Sequence, residues 1–92
     1  MEDRVYLITL YDYYGKLLTE KQRMYFEDYY FDNLTMEEIA ENDNVSKNAI
    51  SKQIINIKEK LNYYEEVLKL YNNKLEIEKI LKEDINRIID YI

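Results

Sequence analysis

The stretch "TMEEIAENDNVSKNAISKQIINIKEK", Thr35 to Lys60, decides how the rest of the chain is read. Thr35 followed three residues later by Glu38 has capping-box spacing, in which side chain and backbone satisfy each other's hydrogen bonds at a helix start. A short helix over Met36–Asn42 is predicted. Ser46 supplies a second N-cap, and Val45 and Ile50 flank it at the spacing of a hydrophobic staple, which sets the entry angle of another helix. Asn44 lies in the turn between them, where positive φ is needed and asparagine tolerates it. Two helices joined so tightly must cross closely, and Ala40 is the small residue that permits it, with Ile39, Val45 and Ile50 filling the crossing. This is the geometry of a helix-turn-helix, whose second helix presents its first turns to a target. Lys47, Asn48, Ser51, Lys52, Ile55 and Asn56 are left facing outward. Lysine suits phosphates and asparagine can bond adenine through two hydrogen bonds, so Lys47, Asn48, Ser51, Lys52 and Asn56 are the candidate nucleic-acid contacts.

The composition restricts what surrounds the motif. Ninety-two residues make one domain, 1–92, too small for a separate catalytic unit. The chain has no cysteine and no histidine, which removes disulfides, thiolate metal sites and the commonest general base. No catalytic set, metal or cofactor is predicted. Pairs such as Glu37 with Glu41 read as a solvated acidic face. No apolar run approaches the roughly 20 residues of a membrane helix, and "MEDRVYLITLYDYY" lacks the regions of a signal peptide, so a cytoplasmic protein without membrane insertion is expected. With no proline and one glycine, the chain offers little of the punctuation that hairpins require. An all-α fold follows.

Outward from the motif, five helices are predicted. The first covers residues 2–14 and stops at Gly15 in a left-handed cap. The second starts from an N-cap at Thr19, with Gln22 at capping-box distance, and ends near Asp32 or Asn33. The third and fourth form the motif at 35–60. From Ile50 the apolar residues fall at Ile54, Ile57, Leu61, Tyr64, Leu68 and Tyr71, alternating steps of four and three as in a heptad seam. A helix from Ser46 to Tyr71 would be roughly 39 Å long, more than a small globule covers. The "YNN" at 71–73 ends it, and Ile77, Leu81, Ile85, Ile88 and Ile92 line a fifth helix. Residues 61–92 therefore read as a helical extension for oligomerisation, with Leu61, Tyr64, Leu68 and Tyr71 as its seam and a homodimer as the outcome. Tyr6, Tyr13, Tyr29 and Tyr64, at helical spacing, belong to the boundary of the core.

Charge complicates the nucleic-acid reading. Lys47, Lys52, Lys58 and Lys60 against Glu59 make the recognition segment locally basic, but the formal net charge is -6. Between Glu27 and Asp43 lie Asp28, Asp32, Glu37, Glu38 and Glu41, and acids lying against a duplex repel it within a Debye length of about 8 Å. DNA binding is predicted to be weak. Ile55, in the middle of the outward surface, and the acidic Glu37, Glu38 and Glu41 suit contact with a protein.

Leu18 to Leu61, with "LTEKQ", "LTMEEIA" and "VSKNAI", resembles region four of bacterial sigma factors. Asp43 departs from that pattern, standing where an apolar brace residue is usual, and Asn44 replaces a frequent turn glycine. Over nearly the whole chain, "YDYYGKLLTEKQRMYFEDYYFDNLTMEEIAE", "VSKNAISKQI" and "KEKLNYYEEVLKL" are similar to the YlxM-like family of small all-helical proteins encoded beside the genes of the signal recognition particle. The resemblance implies a regulator or adaptor acting on signal recognition particle components, protein or ribonucleoprotein. The second function it implies is a sequence-specific DNA-binding regulator. A structural oligomer that keeps the motif only as a stable fold is the third expectation.

Overall fold

A computed structural model describes the backbone of residues 4–90 and the side chains of residues 4–86. Five α-helices appear among the described residues: α1 Arg4–Tyr14, α2 Glu20–Tyr30, α3 Met36–Asp43, α4 Lys47–Leu68 and α5 Leu70–Asp90, with a single 3₁₀ turn, Gly15–Leu17. The fold is all-α. The positions predicted at residues 2–3 and the side chains of Ile88 and Ile92 lie outside the described residues.

Both capping boxes form. Thr19 accepts from the Gln22 N–H at 3.1 Å while the Gln22 side chain accepts from the Thr19 N–H. Thr35 and Glu38 make the same reciprocal pair. α4 is the axis of the molecule. Its Ile50, Ile54, Ile57 and Leu61 are buried, and α1, α2 and α3 all pack against it. Leu7, Leu10 and Tyr14 of α1 and Tyr25, Phe26 and Tyr30 of α2 complete the core, with Phe26 stacked on Tyr11 at a centroid distance of 4.3 Å. Tyr6, Tyr13, Tyr29 and Tyr64 sit half-buried at its margin, as their spacing predicts.

Three local expectations are corrected. Gly15 is not a left-handed cap, since no glycine among the described residues has positive φ. A Cβ there would come within 2.9 Å of the Tyr11 ring, so the position requires a small residue rather than a left-handed one. Val45 does not fill the α3–α4 crossing; it is 40% exposed, because the turn carries it past the edge of the core. The long helix ends earlier than "YNN": it stops at Leu68, where Lys69 adopts φ 55, and α5 begins at Leu70.

That break is built by partners. Glu65, in the last turn of α4, accepts from the N–H of Tyr71 at 3.1 Å and of Asn72 at 3.2 Å, capping the start of α5. The Tyr14 hydroxyl, brought by α1, donates to Glu65 at 2.6 Å and accepts from the Leu70 N–H at 3.0 Å. Burial, and then the Glu65 contact, push the Tyr14 hydroxyl up from its ordinary value. Tyr71 packs edge-on to Tyr6 at 6.0 Å. Beyond it α5 leaves the body: the molecule measures 64 × 25 × 24 Å with a radius of gyration of 18.1 Å, against about 12 Å for a compact chain of this length. The seam is consumed accordingly. Leu61 is fully buried in the protomer's own core, Tyr64 and Tyr71 pack on it, and Leu68 alone of the four is exposed.

Candidate recognition-helix interface

α3 meets α4 through Ile39 and Ala40 on one side and Ile50 on the other, all buried. The turn between the helices is closed by Asn44 in the left-handed region at φ 58, its N–H reaching back to Ala40 and Glu41, while Val45 N–H bonds the Ala40 carbonyl at 3.0 Å. The left-handed residue and its back-bonds satisfy the carbonyls that a helix end otherwise leaves open. Ser46 then caps α4 by accepting from Ala49 at 3.1 Å.

Asp43, the departure noted in the motif, is neither loose nor distorting. It accepts from Lys21 and from the Tyr25 hydroxyl, both on α2, and so ties the end of the brace to the body. The Lys21 and Tyr25 hydrogen bonds hold its carboxyl below the usual carboxylate range. Burial and the Asp43 contact push the Tyr25 hydroxyl up to about 12. The signs give a test. Above about pH 10 the unfolded tyrosine loses its proton while the folded one keeps it, so stability falls between pH 10 and about 12. Asp43 contributes stability above the ordinary value of 3.8, lost as the pH drops through its lower folded value. Denaturant midpoints measured against pH are expected to fall at both ends. Tyr25→Phe should flatten the alkaline limb without removing it, because Tyr6, Tyr11 and Tyr14 are also raised. An alkaline limb unchanged in Tyr25→Phe would contradict this assignment.

With Ile50, Ile54, Ile57 and Leu61 defining the inner side of α4, a step of 100° per residue directs Asn48, Lys52, Ile55, Asn56 and Glu59 outward. All five are exposed, Ile55 at 50%. Ser51 lies on the flank, half-buried. Lys47 does not join the outward set: it turns toward the brace and pairs with Glu37 at 2.8 Å. That pair lowers the Glu37 carboxyl and raises the Lys47 ammonium, in both cases mainly through the hydrogen bond between them. Lys58 and Lys60 are half-buried, and Lys60 donates to Gln22 at 3.1 Å. Glu37, Glu38 and Glu41 remain exposed on α3, Glu38 holding its cap.

Past the midpoint the strip changes character. Ile55, Lys58, Glu59, Asn62, Tyr63 and Glu66 line one shallow hollow, and Tyr63 shares the next with Asn56. Tyr63, 60% exposed, is a surface residue that the motif reading passed over. The available signal was its place seven residues after Asn56, two turns along the same outward side of the helix. Among the described residues no group of three acidic side chains converges as a metal site would need.

A family profile described as "Putative helix-turn-helix protein, YlxM / p13 like" matches residues 1–90. The chain belongs to the UPF0122 family. Its similarity to family members extends over most of both sequences. A UPF0122 protein of Malacoplasma penetrans is 42% identical over 86 residues, covering 90% of this chain and 78% of that one. One from Clostridium kluyveri is 41% identical over 92 residues, all of this chain and 79% of that one, and one from Fusobacterium nucleatum is 37% identical with 98% and 95% covered. As a UPF0122 helix-turn-helix protein, the chain carries its motif on α3 and α4, and no helix among the described residues is long and apolar enough to cross a membrane.

Proposed function

We propose that this UPF0122 chain is a non-enzymatic adaptor that docks another macromolecule on the outward face of α4, and that the surface it meets is protein. The strip itself carries the reading. Ile55 stands half-exposed at its centre with Tyr63 two turns on, set among Glu59 and Glu66, while Lys47 and Lys60 are engaged with Glu37 and Gln22. Apolar and aromatic anchors within a polar surround are the usual composition of a protein-binding patch. Phosphate binding instead draws on cations, and Lys47 and Lys60, two of the four lysines on this helix, already have partners. The resemblance to the YlxM-like family supports a signal recognition particle component, protein or ribonucleoprotein, as the partner. Glu37, Glu38 and Glu41 favour a basic surface on it.

The helix-turn-helix supports a second reading, a DNA-binding regulator with Asn48, Ser51, Lys52 and Asn56 in the major groove and Lys47 on a phosphate. Its affinity would be weak and salt-dependent, roughly 10⁻⁴ to 10⁻⁶ M at physiological salt. Mutation separates the two. In capture of tagged protein from its own cytoplasm, with bound protein and nucleic acid both identified, Ile55→Ser is expected to lose the partner, whereas Lys47→Ala with Lys52→Ala retains it. The reverse order, or a nanomolar sequence-selective footprint on duplex DNA, would establish the DNA reading instead. Circular dichroism confirms that each variant is folded.

A further inference from the structure

The helix that leaves the body has an apolar side with nothing on it. Ile77, Ile80, Leu81 and Ile85 of α5 are each between 54% and 56% exposed. The chain as a whole exposes 6993 Å², about 1,200 Å² more than the roughly 5,800 Å² expected of a folded monomer of its mass. That excess exceeds the about 800 Å² that each partner contributes to an interface of ordinary size.

We infer that a second copy of the chain covers this face, the two α5 helices lying antiparallel about a two-fold axis level with position 79, whose own side chain is on the opposite side of the helix. The arrangement of charge along the helix selects the copy and its direction. Lys74 and Asp84 sit on the same side as Ile77 and Leu81, and each pair is symmetric about position 79. Antiparallel helices centred there set Ile77 against Leu81 and Lys74 against Asp84, each contact occurring twice, as a two-fold interface requires. A parallel pair in register would put Lys74 against Lys74 and Asp84 against Asp84. Like charges facing one another select against that arrangement. Lys74 is 3.9 Å from Glu78, one turn along its own helix and just as exposed, which leaves the ammonium able to turn toward the second copy. The bodies come to opposite ends of the paired helices, each beside the Lys69 junction. Leu68 and Leu70, both exposed, lie at that junction.

Charge exchange in the full-length chain tests both partner and direction. Sedimentation equilibrium should show a dimer that dissociates on dilution. Lys74→Glu and Asp84→Lys should each weaken association about tenfold, since each sets like charges opposite one another, and the double variant Lys74→Glu/Asp84→Lys should restore it. Leu81→Lys should yield monomer with unchanged helicity below the junction. A wild-type chain still monomeric at about 100 µM would overturn the pairing. Single variants that associate like wild type, or a double variant no tighter than the singles, would overturn the antiparallel register.

Discussion

Phe26→Ala is expected to lower the thermal midpoint of the chain more than Phe31→Ala or Glu65→Ala does. Phe26 is fully buried, stacked on Tyr11 at 4.3 Å and packed against Tyr30 at 4.5 Å and Phe31 at 5.9 Å, so its ring joins α1 to α2. Its removal forfeits the transfer of a large apolar side chain and leaves a cavity that neighbouring rings cannot fill without moving α1. Such truncations cost about 3–5 kcal/mol. A domain of this length has about 5–14 kcal/mol in all, and each kcal/mol moves its melting temperature by about 4–8 °C. The midpoint should therefore fall by at least about 12 °C. Phe31→Ala is the internal comparison: that ring touches the same cluster from an exposed position and should cost much less. A Phe26→Ala midpoint within about 5 °C of wild type would mean that the aromatic cluster is not what holds α1 to α2.

Glu65→Ala is expected to release α5 while the body stays folded. One carboxylate accepts from the Tyr14 hydroxyl and from two N–H groups of the first turn of α5, so its loss opens three hydrogen bonds together. The cost should be about 1–3 kcal/mol, concentrated at the junction. Hydrogen exchange resolves where it falls. The amides of Tyr71 and Asn72 should lose protection, and those of Ile50, Ile54 and Ile57 should keep it. The residual tethers are the packing of Tyr71 on Tyr6 and Tyr13 and the bond from the Leu70 N–H to the Tyr14 hydroxyl. Tyr14→Phe, which removes only the hydroxyl, should show a smaller effect at the same amides. Equal loss of protection throughout the chain would show that α5 and the body unfold as one unit.

What was legible in the sequence was what short-range chemistry decides. Thr19 with Gln22 and Thr35 with Glu38 form their capping boxes within one turn, and Asn44 makes its left-handed turn from local preference alone. The apolar rhythm from Ile50 to Leu61 correctly gave the inner side of α4. The junction was not legible, because lysine carries no turn signature and the groups that hold the break come from Glu65 and from Tyr14, 56 residues before Leu70. The same cause misdirected the seam: Tyr64 and Tyr71 keep the heptad spacing, but the rings of Tyr14, Tyr6 and Tyr13 occupy the side that a second helix would have taken. In the recognition helix, spacing alone turned Lys47 outward with Asn48. Its partner Glu37 lies on another helix, and only the crossing of α3 over α4 brings the two within 2.8 Å.

Asn33, Asn44 and Lys69 all adopt positive φ, while the chain's single glycine sits elsewhere. A glycine at any of these three bends would relieve the native backbone but would widen the range of conformations open to the denatured chain. By making its sharp bends with residues that carry a Cβ, the protein accepts a small native strain and starts folding from a narrower ensemble, one in which fewer backbone arrangements must be given up at each corner. The cost is greatest at Lys69, which lacks the short polar side chain that eases asparagine into this region. The bend joining α5 to the rest is accordingly the corner where the gain in the denatured state and the strain in the native state are most nearly opposed.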